Sequence, residues 1–204
     1  MTDAQRALVR ISAATAARRK DALQDAFEGA RGVADDEAVE EVVLQSYLFL
    51  GFPAALNAMS MWRRISGREA PGASERDVAG WDARGQVVCA KVYAGQYQRL
   101  RENIRALHPD VESWMVTEGY GKVLGRPGLD LKTRELCIVG LLAVLNVPKQ
   151  LFSHLRGAIN VGATSDQVQQ ALEVALPYMN DASRGLARKT WERVLRSRMP
   201  DQEA

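Results

Sequence analysis

The sequence is most restrictive in what it lacks. It has two cysteines, Cys89 and Cys137, and two histidines, His108 and His154, among 204 residues. A multi-histidine metal centre is thereby excluded, and with no C-x-x-C and no H-E-x-x-H a metal site has no support. The cysteines read as small buried hydrophobes in a reducing compartment. No apolar run reaches the roughly 18 residues that a membrane helix requires, and the opening residues lack the pattern of a secretion signal. A cytoplasmic protein without membrane contact is the expectation. Lys and Arg number 27 against 25 Asp and Glu, and the basic residues are scattered, so nothing favours nucleic acid as a partner. The densest cluster, Arg18-Arg19-Lys20, reads as a solvated helix face.

Apolar residues make up 47% of the chain and charged residues 25%, the balance of a globular protein with a sizeable core. Strand alternation is nowhere sustained, whereas apolar residues recur at three, four and seven, so the fold class is all-α. Helices are expected over residues 3–31, from Asp35 to Gly51-Phe52-Pro53, from Pro53 past Trp62, over 81–107 and from Val111 to about Leu124. Residues 66–80, rich in glycine, proline and charge, read as an exposed linker between an N-terminal unit, 1–65, and a C-terminal unit, 81–204.

The richest stretch runs from Asp130 to Gly157. Asp130 is a natural helix cap, Glu135 lies in the first turns, and Asn146 with Pro148 marks a stop and a restart. On the restarted helix, Leu151, His154, Leu155 and Ala158 share one stripe, which turns His154 inward. An internal repeat is also visible. A shift of 128 carries Arg6, Leu8, Leu23, Gly29, Ala30 and Val33 onto Arg134, Leu136, Leu151, Gly157, Ala158 and Val161. After one extra residue, Gly162, a shift of 129 carries Ala34, Val39, Trp62 and Arg64 onto Ala163, Val168, Trp191 and Arg193. Two tandem, pseudo-symmetric helical units are the expectation. At the places of Glu135 and His154 the first unit has Ala7 and Ala26.

Arg126-Pro127-Gly128-Leu129, Thr133-Arg134, His154-Leu155-Arg156, Gly162-Ala163-Thr164 and Gly51-Phe52-Pro53-Ala54-Ala55 with Asn57-Ala58-Met59 resemble the carboxymuconolactone decarboxylase family, which includes the AhpD-like alkylhydroperoxidases. The likeness covers residues 85–175 well and 5–65 more weakly. It implies an AhpD-like helical fold and a homo-oligomer, a trimer ahead of a dimer, with pockets between units. Glu135 and His154 match the glutamate and histidine of the peroxidase branch, but its two cysteines fall on Val147 and Gln150. Thiol peroxidase activity is therefore not expected. The decarboxylase branch has a glutamate before its R-P-G-L turn where this chain has Lys122.

The function expected from this resemblance is a cofactor-free lyase acting on a small carboxylated or lactone-type compound, with His154 as proton donor or acceptor and Glu135 behind it. Tyr120, Arg126, Arg134, Phe52 and Asn57 are the substrate-binding candidates. The bland reading makes His154 a core residue, Glu135 a helix-terminus carboxylate paired with Lys132 or Arg134, the two arginines structural ion pairs, and Tyr120 and Phe52 core aromatics. The competing function is a non-enzymatic oligomer or ligand-binding protein with a decayed site, and peroxide reduction ranks last. Glu135 and His154 are expected to form half of a composite site. Its other half lies around Phe52 and Asn57 of the same chain or a neighbour.

Overall fold

A computed structural model describes residues 1–72 and 77–197. All regular structure among them is helical: α1 (Asp3–Ala17), α2 (Lys20–Ala30), α3 (Asp36–Gln45), α4 (Tyr47–Ser66), α5 (Gly80–Tyr93), α6 (Tyr97–Leu107), α7 (Pro109–Trp114), which runs on into a π-helical segment (Met115–Leu124), α8 (Leu131–Leu145), α9 (Pro148–Asn160), α10 (Ser165–Ala175) and α11 (Asp181–Arg196). No single helix is long and apolar enough to cross a membrane; α3 and α4 pass such a test only as a pair bent by 118°.

The centre is α8. Asp130 caps it, one carboxylate oxygen accepting from the Thr133 N–H at 3.0 Å and the other from its hydroxyl at 2.6 Å. Every residue from Thr133 to Ala143 is buried, because this helix is apolar on all sides and packs on all sides. Its closest partner is α1. Ser12 donates to the Cys137 carbonyl at 2.8 Å, and Gln5 donates to the Thr133 hydroxyl at 3.0 Å. Gly140 lets Val9 approach so closely that a Cβ there would lie 2.9 Å from Val9 Cγ1. These contacts are reciprocal: under the 128 shift Ser12 corresponds to Gly140 and Val9 to Cys137, so each helix offers the other the equivalent pair.

Helix boundaries follow the same shifts. α1 maps residue for residue onto α8, α2 onto the start of α9, and α3, shifted by 129, onto α10. Gly51, with φ of 78°, breaks α4 where Asn180 caps α11. That break precedes Pro53, which cannot donate within a helix.

Three expected helices differ. The one over 3–31 divides at Arg18, in the left-handed conformation with φ of 56°, and Arg19. The one over 81–107 divides at Ala94, where φ is also positive (48°), and a short 3₁₀ turn over Ala94–Gln96 follows. Neither break carries a proline, so the apolar period runs through both unmarked. The helix expected from Val111 to Leu124 instead widens into the π segment, where paired glycines set the packing. A Cβ on Gly85 would lie 2.1 Å from the Val116 carbonyl oxygen, and one on Gly121 would lie 2.0 Å from that of Trp81. Only glycine allows α5 and the π segment to touch through backbone.

Of the expected linker 66–80, Ser66 ends α4 and Gly80 begins α5. Residues 67–72 and 77–79 are exposed, and 73–76 lie outside the described residues.

Candidate active site

Glu135 in α8 and His154 in α9 face each other across the central packing. Nδ1 of His154 lies 2.9 Å from Oε2 of Glu135, with the carboxylate fully buried and the imidazole 6% exposed. A carboxylate on Nδ1 fixes the tautomer, which leaves Nε2 as the nitrogen available for proton transfer. Nε2 makes no hydrogen bond within the described residues. The other glutamate oxygen, Oε1, is buried without a partner.

Aromatic rings enclose the imidazole. Phe49, from the start of α4, meets it edge-on at 5.8 Å between centroids, and Tyr93, from the end of α5, at 6.5 Å. Tyr120, on the π segment, donates its hydroxyl to that of Tyr93 at 3.1 Å. Burial pushes both phenols above their ordinary range, so they stay neutral donors at neutral pH. Tyr93 thus keeps its own O–H proton for another acceptor.

Tyr93 also lines a cavity of about 400 Å³ with Arg99, Leu100, Phe152, Ser153, Arg156 and Arg193 among its walls. Arg193 lies over the Phe152 ring at 4.5 Å and Arg156 at 5.8 Å, a stacking that holds both guanidiniums in place. No acidic side chain lines this cavity, and among the described residues none of its three arginines is in an ion pair. Three uncompensated cations beside a neutral phenol suit an organic anion.

The residues singled out from sequence fall in different places. Glu135, His154 and Tyr120 come together. Arg134 does not join them: it is fully buried and commits its donors to Glu41 (2.8 Å), Gln45 (3.3 Å) and the carbonyls of Arg126, Pro127 and Leu129. Arg126 donates to the same Glu41 at 3.0 Å. Glu41 therefore anchors the Arg126–Leu129 turn to α3, and Arg134 is the buried half of that anchor rather than a substrate clamp. Phe52 is 63% exposed and stacks on Tyr47 at 5.0 Å, while Asn57 lines a different cavity. Within one chain the first unit contributes Phe49 to the imidazole, not Phe52 or Asn57. Glu135 pairs with neither Lys132 nor Arg134.

Sequence reading missed Phe49, Tyr93, Arg99, Arg156 and Arg193. Two signals were present: Arg156 is two residues after His154, and a shift of 129 carries Arg64 onto Arg193. Cys89 lies close enough to the pair for the Glu135 charge to act on it, but neither thiol is activated. Both cysteines are free and buried, Cys89 is pushed up to about 12 by burial, and Cys137 higher still for the same reason. Among the described residues no group of three or more His, Cys, Asp or Glu side chains could hold a metal ion.

An all-helical protein with a carboxylate–imidazole pair beside an arginine-lined cavity is the class that fold and site define. A model of the carboxymuconolactone decarboxylase family matches residues 109–188, a span containing Tyr120, Glu135 and His154. Peroxisomal protein 2 of Schizosaccharomyces pombe is 30% identical over 146 residues, 68% of this chain and 67% of the relative. A 4-carboxymuconolactone decarboxylase of Acinetobacter baylyi is 32% identical over 89 residues (41% and 66%), and a nitrosuccinic acid decarboxylase of Metarhizium robertsii is 39% identical over 70 residues (34% and 49%). The chain belongs to the carboxymuconolactone decarboxylase family.

Proposed function

We propose that this protein is a cofactor-free carboxy-lyase whose substrate is a small organic acid with more than one anionic or strongly polar group. The observation that carries the reading is the 2.9 Å contact of His154 with the buried Glu135, one ring away from a cavity walled by Arg99, Arg156 and Arg193. Both decarboxylases named among the relatives act, by name, on compounds of this kind.

In the proposed reaction the arginines hold the carboxylate that is retained. The carboxylate to be lost faces the aromatic wall of Phe49 and Tyr93, where a charged ground state is poorly solvated and the spreading charge of the transition state is less so. The C–C bond breaks, carbon dioxide leaves, and the electron pair moves into the neighbouring acceptor, a conjugated carbonyl or a nitro group, whose oxygen the Tyr93 hydroxyl steadies by hydrogen bonding. His154, protonated on both nitrogens, then delivers the Nε2 proton to carbon, and Glu135 stabilises the imidazolium before transfer. The test is release of carbon dioxide from 4-carboxymuconolactone and nitrosuccinate by the wild type, by His154→Gln and by a variant with Arg156→Gln and Arg193→Gln. The expected pattern is a fall in kcat for the first variant and a rise in KM for the second.

The near-complete burial of His154 favours one competing reading, a ligand-binding protein in which no chemistry follows. Binding of the same acids without turnover would select it. The proposal further includes descent of the chain from two tandem copies of one helical unit, supported by the matching helix boundaries, and a homo-oligomeric state, supported by exposed Phe52, Leu56 and Trp114. Sedimentation of a monomer would remove the latter. A cytoplasmic location agrees with two free thiols and is checked by cell fractionation.

A further inference from the structure

The break between α1 and α2 has a second consequence. Arg18, Arg19 and Lys20 do not line a continuous helix face; the turn brings all three to the lining of a cavity of about 550 Å³, which Arg64, from the last turn of α4, lines as well. Its floor is apolar, made by Leu23, Leu50, Ala54 and Met61, and Asn57 and Ser60 stand on the α4 wall. No acidic side chain lines it. Among the described residues Arg18, Arg19, Lys20 and Arg64 form no ion pair and no side-chain hydrogen bond, unlike the neighbouring Arg63, which binds Glu40 through both terminal nitrogens at 2.5 and 2.9 Å. The start of α2 adds to this: Arg19 occupies its cap position without a capping hydrogen bond, so its first N–H groups are unsatisfied by side chains and carry the positive end of the helix dipole.

We propose that this cavity is a binding site for a small amphiphilic anion, a carboxylate or phosphate head carrying an apolar tail of medium length. The head fits among Lys20, Arg64 and the Arg18–Arg19 turn, with Asn57 and Ser60 as neutral hydrogen-bond partners. The tail covers Leu23, Leu50 and Met61. Four like charges around one opening repel each other when the site is empty, and an anion relieves that repulsion while the tail removes apolar surface from water. The site is separate from the one at His154, since neither His154, Glu135 nor Tyr93 lines it. The α4 start nonetheless touches both, Phe49 at the imidazole and Leu50 at this floor.

Calorimetric titration of the full chain with octanoate and with octyl phosphate tests the proposal. Saturable binding is expected, weakening as salt is raised because the head is held by charge. Both heads binding supports a general anion site, and one head alone supports it for that head. The double variant Lys20→Gln, Arg64→Gln alters only exposed side chains. It should weaken binding by ~10-fold or more, as expected for loss of charge-assisted hydrogen bonds. Ala54→Phe should abolish binding by filling the floor. The control Arg156→Gln, Arg193→Gln, in the other cavity, should leave the affinity unchanged, which separates this site from the proposed active site. The proposal is overturned if neither probe binds. It is equally overturned if Lys20→Gln, Arg64→Gln binds like the wild type while its circular dichroism is unaltered, or if the control variant alone abolishes binding.

Discussion

A Cβ on Gly157 would lie 2.8 Å from Oε2 of Glu135, the oxygen that contacts His154. Gly157 is one turn beyond His154 on α9, so the helix that carries the imidazole also carries the space into which the carboxylate fits. The same Cβ would meet Val92 Cγ1 at 2.7 Å, and neither neighbour can withdraw easily from a buried position.

Gly157→Ala follows from this. Alanine gains about 1 kcal/mol of helix propensity, but overpacking a filled core costs about 1–3 kcal/mol, so a net loss of stability is expected. The displaced carboxylate should also lower kcat more than it changes KM. Gly185→Ala, where a Cβ meets nothing within 4 Å, should raise stability by about 1 kcal/mol and leave the rate alone. Chemical denaturation of both variants checks the pair.

Arg134→Met leaves Glu41 short of its buried partner. Arg126 still holds Glu41, so the cost stays below the about 3–5 kcal/mol of an uncompensated buried charge, and a clear drop in melting temperature is expected. The KM for a substrate acid should not move in whatever fraction remains folded, because Arg134 touches only protein. A rise in KM at unchanged stability would return Arg134 to the substrate.

Acid stability rests in part on Glu112 and Glu40. The Arg101 guanidinium hydrogen-bonded to Glu112, and that of Arg63 hydrogen-bonded to Glu40, hold both carboxyls below their ordinary value of 4.5. A carboxyl depressed in the folded state binds fewer protons there than in the unfolded chain. Its contribution is therefore complete above pH 4.5 and fades as pH falls through the depressed value. Denaturation midpoints should decline below that pH, and Glu112→Gln should flatten the decline while lowering the plateau.

The thiols should be silent. With Cys89 pushed up to about 12 and Cys137 higher, neither presents thiolate at neutral pH, and both are shut away from solvent. Thiol reagents should label the native protein negligibly and the unfolded protein twice. Rapid native labelling would contradict the burial and reopen peroxide chemistry.

How much of this was legible in the sequence depended on whether a signal was local. Asp130, Pro148 and the spacing of His154 are local, and they gave α8, α9 and the inward imidazole. Proline and glycine marked the stop before Pro148 and the break at Gly51. The break at Arg18 left no such mark, and the one at Ala94 only the single Gly95 within a continuous apolar period, so one basic cavity and the placing of Tyr93 were not legible. Arg134 was ambiguous because its partner, Glu41, is remote in the chain. The need for glycine at 85 and 121 was not legible, because only the close approach of α5 to the π segment imposes it.

In the proposed reaction His154 delivers the proton that quenches the carbanion left by carbon dioxide. Decarboxylation of 4-carboxymuconolactone and nitrosuccinate in deuterated water, by the wild type and by His154→Gln, measures it. Turnover by the wild type is expected, with one solvent deuterium fixed on carbon in each product, and a rate lower on the order of 10²-fold or more in the variant at unchanged fold. Equal rates in the two proteins, or no carbon dioxide from either acid with the wild type, would contradict it.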